Sequence, residues 1–187
     1  AGGDDRVDRY EVDIDEACTR LIAKRQPTAG DLRLVMAVAR IVTDLERCGD
    51  KAAKIARMSS KLLRGRDGAP PANGVVPHLS NLKRFGEAAI AMLRKALDAL
   101  ARLDADAAEK VIREDVEVDE NFESIMRELI TYMMEDSRTI SRGLDIVWIA
   151  KAFERVGDHA ANIAENVVYI VRGEDVRHQG SDIEGDA

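Results

Sequence analysis

Two short stretches of the sequence, LERCGD at 45–50 and FERVGD at 153–158, share the pattern Glu-Arg-x-Gly-Asp. In each, a glutamate precedes an aspartate by four residues, so on a helix the two carboxylates lie on one face, one turn apart. Like charges at this spacing weaken an isolated helix, and an internal glycine costs about 1 kcal/mol relative to alanine. The pattern therefore predicts that these residues serve a site and not the helix that carries them.

The two stretches belong to an internal repeat in which each residue corresponds to the one 108 positions later. Between 41–56 and its counterpart, nine positions are identical. The same offset carries a second acidic pair, Glu11 and Asp15, onto Asp119 and Glu123. A repeat of this length indicates a duplicated domain and not a solenoid.

Each half is predicted to fold as two antiparallel helices, which would bring its two acidic pairs to one height. Residues that are equally far along the sequence from the turn lie side by side in such a pair of helices. In the first half, the midpoint between Glu11 and Asp50 in the sequence falls inside the predicted break at 25–31. Asp15 and Glu46 share the same midpoint, and the acidic residues of the second half are likewise centred on the predicted break EDSRT. The candidate ligands are Glu11, Asp15, Glu46 and Asp50 in the first half, and Asp119, Glu123, Glu154 and Asp158 in the second.

Four partly buried carboxylates at one level would repel one another and raise each other's pKa, and a bound multivalent cation would relieve this. Carboxylate oxygens are hard ligands that suit iron, manganese, magnesium or calcium, whereas zinc usually takes histidine or cysteine. Gly49 and Gly157 would leave room for a metal ion, a water molecule or a closely packed helix. In the alternative interpretation the carboxylates are solvated, and Arg47 and Arg155 neutralise them without a metal.

Two residues beside the acidic pairs have no equivalent in the other half. His159 follows Asp158 and could serve as an outer ligand, although Lys51 stands at the matching position of the first half. Asp44 corresponds to Ala152, and a salt bridge is the expected role of its carboxylate.

The elements that would carry these residues are predicted to be helices. Apolar residues recur at steps of three and four, and no run alternates with period two, so the fold class is all-α. Pro27 is predicted to end one helix and Asp31 to cap the next. The second half has an additional predicted helix at 79–103, which the first half lacks. The expected division is an incomplete first bundle at 1–64, a proline- and glycine-rich linker at 65–77, a three-helix bundle at 78–173 and a frayed tail at 174–187.

Composition narrows the classes of function. A net charge of −7 without a lysine/arginine block argues against nucleic-acid binding. No segment approaches the ~20 apolar residues of a membrane-spanning helix, and no signal peptide is visible. The chain does not begin with methionine, so it is expected to be a fragment. Cys18 and Cys48 are predicted to be free, buried thiols, which fits a reducing cytoplasm. No glycine-rich phosphate loop or Ser/His/Asp set appears, so no enzymatic activity is predicted.

Together these stretches resemble the PhoU family of bacterial phosphate-signalling regulators. The matching parts run from EVDIDEACTR to AAKIAR at 11–57 and from RELITYMMED to EDVRH at 127–178. The resemblance implies two tandem three-helix bundles whose E(D)xxxD motifs, here the eight carboxylates above, hold multinuclear clusters of iron or other metals in some members. Iron is the metal it favours, with manganese, magnesium or zinc as alternatives. A typical member begins with a helix that would precede residue 1 here, so the first bundle is expected to be open.

The resemblance also implies a role. PhoU-like proteins restrain the phosphate-starvation response at the cytoplasmic face of the membrane, where they link the ATPase of the phosphate ABC transporter to a sensor histidine kinase. The chain is therefore expected to be a non-enzymatic, metal-binding negative regulator and a homodimer, which reaches the membrane only through these partners. Two alternatives stay open, a metal-free helical scaffold and a carboxylate-bridged metal oxidase. The oxidase class uses Glu-x-x-His pairs, which no candidate glutamate forms.

Overall fold

The computed structural model describes residues 4–64 and 79–176, and within these ranges the chain forms five α-helices and no strand. This confirms the all-α prediction. The predicted linker at 65–77, and residues 177–187 of the predicted tail, lie outside the described residues. The helices are α1 (Asp4–Arg25), α2 (Ala29–Arg64), α3 (Leu79–Arg102), α4 (Ala105–Glu135) and α5 (Ile140–Arg172), with a 3-10 turn at Ser137–Thr139 before α5.

The connection between α1 and α2 forms where Pro27 predicts it. Asp31, however, lies inside the first turn of α2, and its backbone N–H donates to the carbonyl of Thr28 at 3.1 Å. The prediction that Asp31 caps this helix is therefore wrong, because α2 already begins at Ala29. In the first turn its carboxylate still interacts favourably with the helix dipole.

Asp and Gly residues define the other helix ends. The Asp104 carboxylate accepts a hydrogen bond from the backbone N–H of Ala107 at 2.9 Å and so caps α4. Asp136 does the same for the 3-10 turn, by accepting from the N–H of Arg138 at 3.0 Å. Gly173 has a φ of 76° and ends α5, as the sequence predicts. These caps satisfy backbone groups that helix ends leave unpaired.

Helix α5 is the centre of the molecule, since it packs against α2, α3 and α4. Its apolar residues are buried on nearly every side, which is typical of a central helix and not of an amphipathic surface helix. Helices α3, α4 and α5 form a complete three-helix bundle, whereas α1 contacts only α2 among the described helices. The fully buried side chains of α5 include Ile146, Ile149, Ile163, Val167 and Val168.

The two halves of the repeat meet where α2 crosses α5. Asp44 on α2 lies 2.9 Å from His159 on α5, measured from Oδ1 to Nδ1, and both residues are buried. Further along α2, Lys61 pairs at 2.7 Å with Asp145, near the start of α5. The partners thus run in opposite directions, so the helices are antiparallel. Because Asp44 directly precedes LERCGD and His159 directly follows FERVGD, the two acidic stretches cross within this interface.

Gly86 lets α3 approach the phenylalanine of FERVGD. A methyl group on Gly86 would lie 2.6 Å from Cζ of Phe153, whose ring packs edge-on against Phe85 at 6.3 Å between centroids. We expect Gly86→Ala to destabilise the protein by about 1 kcal/mol, because overpacking costs about 1–3 kcal/mol and the gain in helix propensity offsets only about 1 kcal/mol. Urea unfolding measures the change. A variant as stable as the parent would contradict the close approach.

Candidate metal centre

Three of the predicted ligands come together in the complete bundle. Asp119 on α4 and the pair Glu154 and Asp158 on α5 each offer a carboxylate oxygen, and these oxygens all lie within 4.8 Å of one another. Metal–oxygen bonds of about 2.1–2.5 Å place ligands on opposite sides of an ion about 4–5 Å apart. The three oxygens therefore have the spacing of the coordination shell of a single ion.

A fourth carboxylate, Asp115, lies near this group, since the charges of all three residues act on it. Its Oδ1 is buried and has no hydrogen-bond partner, and it would lie 3.6 Å from a methyl group on Gly157. Oε2 of Glu154 is likewise buried without a hydrogen bond. Buried carboxylate oxygens are costly to leave unpaired, and a bound cation would satisfy them. The four residues therefore fit a hard metal ion, and Gly157 provides the close helix contact that brings Asp115 near.

The pKa values of these carboxyl groups are raised, as expected for acids that lie close together and are partly buried. Burial raises the pKa of Asp115 to about 7, and the negative charges of Asp119, Asp158 and Glu154 add to the rise. Burial, followed by the charge of Glu154, also raises the pKa values of Asp119 and Asp158. The carboxylates thus repel one another in a partly dehydrated place, which is the condition that a multivalent cation relieves.

The group lies one helical turn away from the level that the sequence predicts on α4. Glu123, the predicted partner, has a side chain that is 70% exposed and pairs with Arg127 at 3.3 Å. Asp115 and Asp119 take the places predicted for Asp119 and Glu123. The shift indicates that the chain reverses earlier within EDSRT than the sequence predicts, which agrees with the end of α4 at Glu135.

Sequence reasoning missed Asp115 although a signal exists. It stands four residues before Asp119, so it continues the same acidic stripe along α4. The matching residue of the first half is Val7, and the search for acids shared by both halves therefore passed over this position.

Two cationic side chains of α5 contact the carboxylates. Lys151 donates a hydrogen bond through Nζ to Oε1 of Glu154. Arg155 donates to Oδ2 of Asp158 at 3.0 Å, and its Nε lies 3.8 Å from Oε2 of Glu154. Arg155 thus has the neutralising role that the metal-free interpretation gives it. Four carboxylates nevertheless face two cations, so the group keeps an excess of acid.

The carboxylates of the first half are placed more loosely. Burial raises the pKa of Glu46, and the negative charges of Asp50, Glu11 and Asp8 raise it further. Asp15 is not among the charges that raise the pKa of Glu46. The pKa of the Cys18 thiol is raised mainly by burial and further by the charge of Asp15. Within residues 6–64, no three ligand atoms come as close together as those of the second half.

The two residues beside the acidic pairs contact each other. Asp44, for which the sequence predicts a salt bridge, pairs with His159, and this contact is a salt bridge when the imidazole is protonated. Nδ2 of Asn162 also donates to Oδ1 of Asp44, at 3.4 Å. His159 lies outside the group of three carboxylates, and its Nδ1 is directed to the neighbouring half of the repeat.

The pH dependence of stability should reveal Asp115. The folded protein holds the proton of this carboxyl more tightly than the unfolded chain, so stability falls as the pH rises from about 4 to about 7. Asp115→Asn removes the ionisation and is expected to stabilise the metal-free protein at pH 7.5 by about 2 kcal/mol. This value is smaller than the full pKa shift would give, because water still reaches part of the site and screens the charges. Urea unfolding at pH 5 and pH 7.5 measures both effects.

The matched control for this variant is Asp98→Asn, at an exposed position of α3. It removes the same charge from the chain and should leave stability and its pH dependence nearly unchanged. An Asp115→Asn protein that is no more stable than its parent at pH 7.5 would contradict the placement of Asp115 among the other carboxylates.

The fold and the site together define a class: all-helical proteins of duplicated bundles, with acidic residues gathered where the last helix of a bundle meets its neighbour. The chain belongs to the PhoU family, because the family model described as "PhoU domain" matches residues 2–59 and 82–167.

Curated relatives and solved structures agree with this assignment. The phosphate-specific transport system accessory protein PhoU homolog of Pseudomonas aeruginosa is 48% identical over 177 residues, which cover 95% of this chain and 70% of that protein. The phosphate-specific transport system accessory protein PhoU of Escherichia coli K12 is 47% identical, with 96% of this chain and 71% of that protein covered.

Among solved structures, the chain is similar to the crystal structure of PhoU from Pseudomonas aeruginosa, with a TM-score of 0.84 and 45% identity. That match covers 91% of this chain and 78% of the other. The PhoU of Streptococcus pneumoniae, called a phosphate transport system regulatory protein, matches with a TM-score of 0.80 and 29% identity, over 94% of this chain and 78% of the other. No helix in the described part of the chain is both long and apolar enough to cross a membrane.

Proposed function

We propose that this chain is a metal-binding regulatory protein whose complete bundle holds a multivalent cation. The observation that carries the proposal is the group of Asp119, Glu154 and Asp158, whose carboxylate oxygens lie within 4.8 Å of one another. The buried Oδ1 of Asp115 and Oε2 of Glu154, which have no hydrogen bond, add to it. The all-oxygen chemistry of the group favours a hard ion such as manganese or magnesium. The family resemblance puts iron first and adds zinc as a further alternative.

The residues of the site would act as a clamp between two helices. Asp115 and Asp119 come from α4, and Glu154 and Asp158 come from α5. A bound cation would supply the positive charge that lets four ionised carboxylates lie together. The metal would thereby hold α4 against the central helix, which also contacts α2 and α3. Metal occupancy is proposed to set the rigidity of the complete bundle and so the surface that partners meet.

The biological role that we propose follows from the family. The relatives are named accessory or regulatory proteins of phosphate transport. We infer that this chain is non-enzymatic and restrains the phosphate-starvation response by linking the ATPase of a phosphate ABC transporter to a sensor histidine kinase. It would work in the cytoplasm as a homodimer, held at the inner face of the membrane by these partners.

A metal-free helical scaffold is the second candidate, and a specific observation favours it. Lys151 and Arg155 already pair with Glu154 and Asp158, so part of the negative charge is balanced by the protein itself. A carboxylate-bridged oxidase has less support, since Gly157 stands where a Glu-x-x-His pair would place its histidine.

Elemental analysis separates the two candidates. The protein is purified without chelators from cells grown with iron and manganese, and its metal content is measured after desalting. The proposed function predicts at least one bound ion per chain, and metal-free protein that takes up none on incubation with Fe²⁺ or Mn²⁺ would favour the scaffold. Repeated oxidation of added Fe²⁺ would instead favour the oxidase.

The adaptor role needs its own experiment. The chain is immobilised and offered detergent-solubilised transporter ATPase and, separately, the cognate histidine kinase. Retention of both is expected, whereas retention of neither would contradict the proposed link between transporter and kinase.

A further inference from the structure

Lys151 places a positive charge inside the candidate metal centre. Its Nζ donates to Oε1 of Glu154. Burial and the charge of Glu154 raise the pKa values of Asp119 and Asp158, and the charge of Lys151 offsets part of the rise in both. One ammonium group thus acts on all three carboxylates whose oxygens lie within 4.8 Å of one another.

The Lys151 ammonium is held in place by a neighbouring ring, and its side chain is still exposed enough to move away. Nζ lies 5.0 Å from the centre of the Phe122 ring on α4, which is the distance of a cation–π contact. The Lys151 side chain is 37% exposed, whereas Glu154 is only 10% exposed. The lysine can therefore swing its ammonium into water without opening the core, while Glu154 stays in place.

We propose that Lys151 is a tethered competitor of the metal ion, whose ammonium pairs with the carboxylates in the metal-free protein and must leave Glu154 when an ion binds. The inference rests on the proposed metal function. A divalent ion and an ammonium repel each other, and both require the same carboxylate oxygens. Part of the binding free energy is then used to displace the lysine, which lowers the affinity of the site for the ion. In the metal-free protein, the same ammonium reduces the repulsion among the carboxylates and so stabilises the bundle.

Only the complete bundle has a lysine at this position of the repeat. The residue that matches Lys151 in the first half is Thr43, which carries no charge. Arg155 differs from Lys151 because its matching residue is also an arginine, Arg47. Lys151 therefore adds a charge that only the second half has, whereas the arginines of the repeated stretches are common to both halves.

Lys151→Met removes the ammonium and keeps an unbranched side chain against Phe122. We expect its affinity for Mn²⁺ to be about tenfold higher than that of the parent, the size of effect that a hydrogen bond to a charged group produces. The titration follows free Mn²⁺ by electron paramagnetic resonance. The matched control is Lys54→Met. Lys54 also lies over an aromatic ring, 4.9 Å from the centre of Trp148, but its charge is not among the causes of the pKa shifts of Asp119 and Asp158.

A second measurement uses the unaltered protein. Lysine acylation, followed by peptide mass spectrometry, should become faster at Lys151 when Mn²⁺ is added and stay constant at Lys54. Equal Mn²⁺ affinities of Lys151→Met and Lys54→Met, or acylation of Lys151 that is unchanged by the ion, would overturn the inference while leaving the metal function intact. Absence of binding to all three proteins would overturn the metal function, and the inference with it.

Discussion

Replacement of Glu154 by glutamine and Asp158 by asparagine should weaken Mn²⁺ binding by at least about a thousandfold, or about 4 kcal/mol. The amides keep the size of the side chains but lose the two charges that α5 contributes to the group. Loss of a residue that only supports a metal ligand already costs about 10–100-fold in affinity, so loss of two charged ligands should cost more. Electron paramagnetic resonance of free Mn²⁺ measures the affinity.

Glu123→Gln is the control for that experiment. Glu123 has the same charge and is one of the residues that the sequence predicts as ligands, but it is exposed and paired with Arg127. The structure predicts that this variant binds Mn²⁺ as the parent does. A strong loss in Glu123→Gln, with little change in the Glu154→Gln/Asp158→Asn protein, would place the metal at Glu123 and outside the group described above.

Asp44→Ala is expected to lower the free energy of unfolding by about 3 kcal/mol, the largest effect on stability that we predict. Asp44 joins the two halves through His159 at 2.9 Å, and both side chains are about 10% exposed. Removal of the carboxylate leaves the imidazole N–H buried without a partner, and an unpaired buried donor loses its full solvation. Urea unfolding measures the change.

An exposed ion pair in the same interface provides the control. Asp145 pairs with Lys61 at 2.7 Å, and the lysine side chain is 58% exposed. Asp145→Ala should cost less than about 1 kcal/mol, because solvent screens such pairs. If both alanine variants lost the same stability, the buried contact between Asp44 and His159 would not be the principal polar link between the halves.

The helices could be predicted from the sequence because each half gives a clear helical period and few interruptions. The spacing of apolar residues predicts α3 at 79–103, and the helix runs from Leu79 to Arg102. Pro27 and Gly173 mark helix ends through their own backbone chemistry. Asp31 was harder to place, since a first-turn aspartate and a capping aspartate differ by only a few positions in sequence.

The candidate site could be predicted only in part. The repeat identifies Glu154 and Asp158, which share a helix and therefore a fixed spacing. The partner residues on α4 depend on where the chain reverses, and a shift of a few residues moves the level by one turn. This is why Asp115 takes part in the group and Glu123 lies outside it.

Contacts between the two halves could not be predicted at all from the period or the repeat. The pairing of Asp44 with His159 depends on which face of α2 meets α5, and both helices are apolar over wide arcs. The position of Lys151 likewise depends on the approach of α4, which brings Phe122 and Asp119 beside it. Such contacts follow from tertiary packing, which a single sequence does not encode in any local pattern.

The most direct test of the metal centre is an anomalous difference map from crystals of protein purified without chelators and supplied with Mn²⁺. The proposed metal centre predicts a peak bounded by Asp119, Glu154 and Asp158, with Asp115 turned towards it and Lys151 withdrawn from Glu154. No peak between α4 and α5 at saturating Mn²⁺, or a peak held by Glu123 with Asp115 turned away from it, would contradict the proposed site.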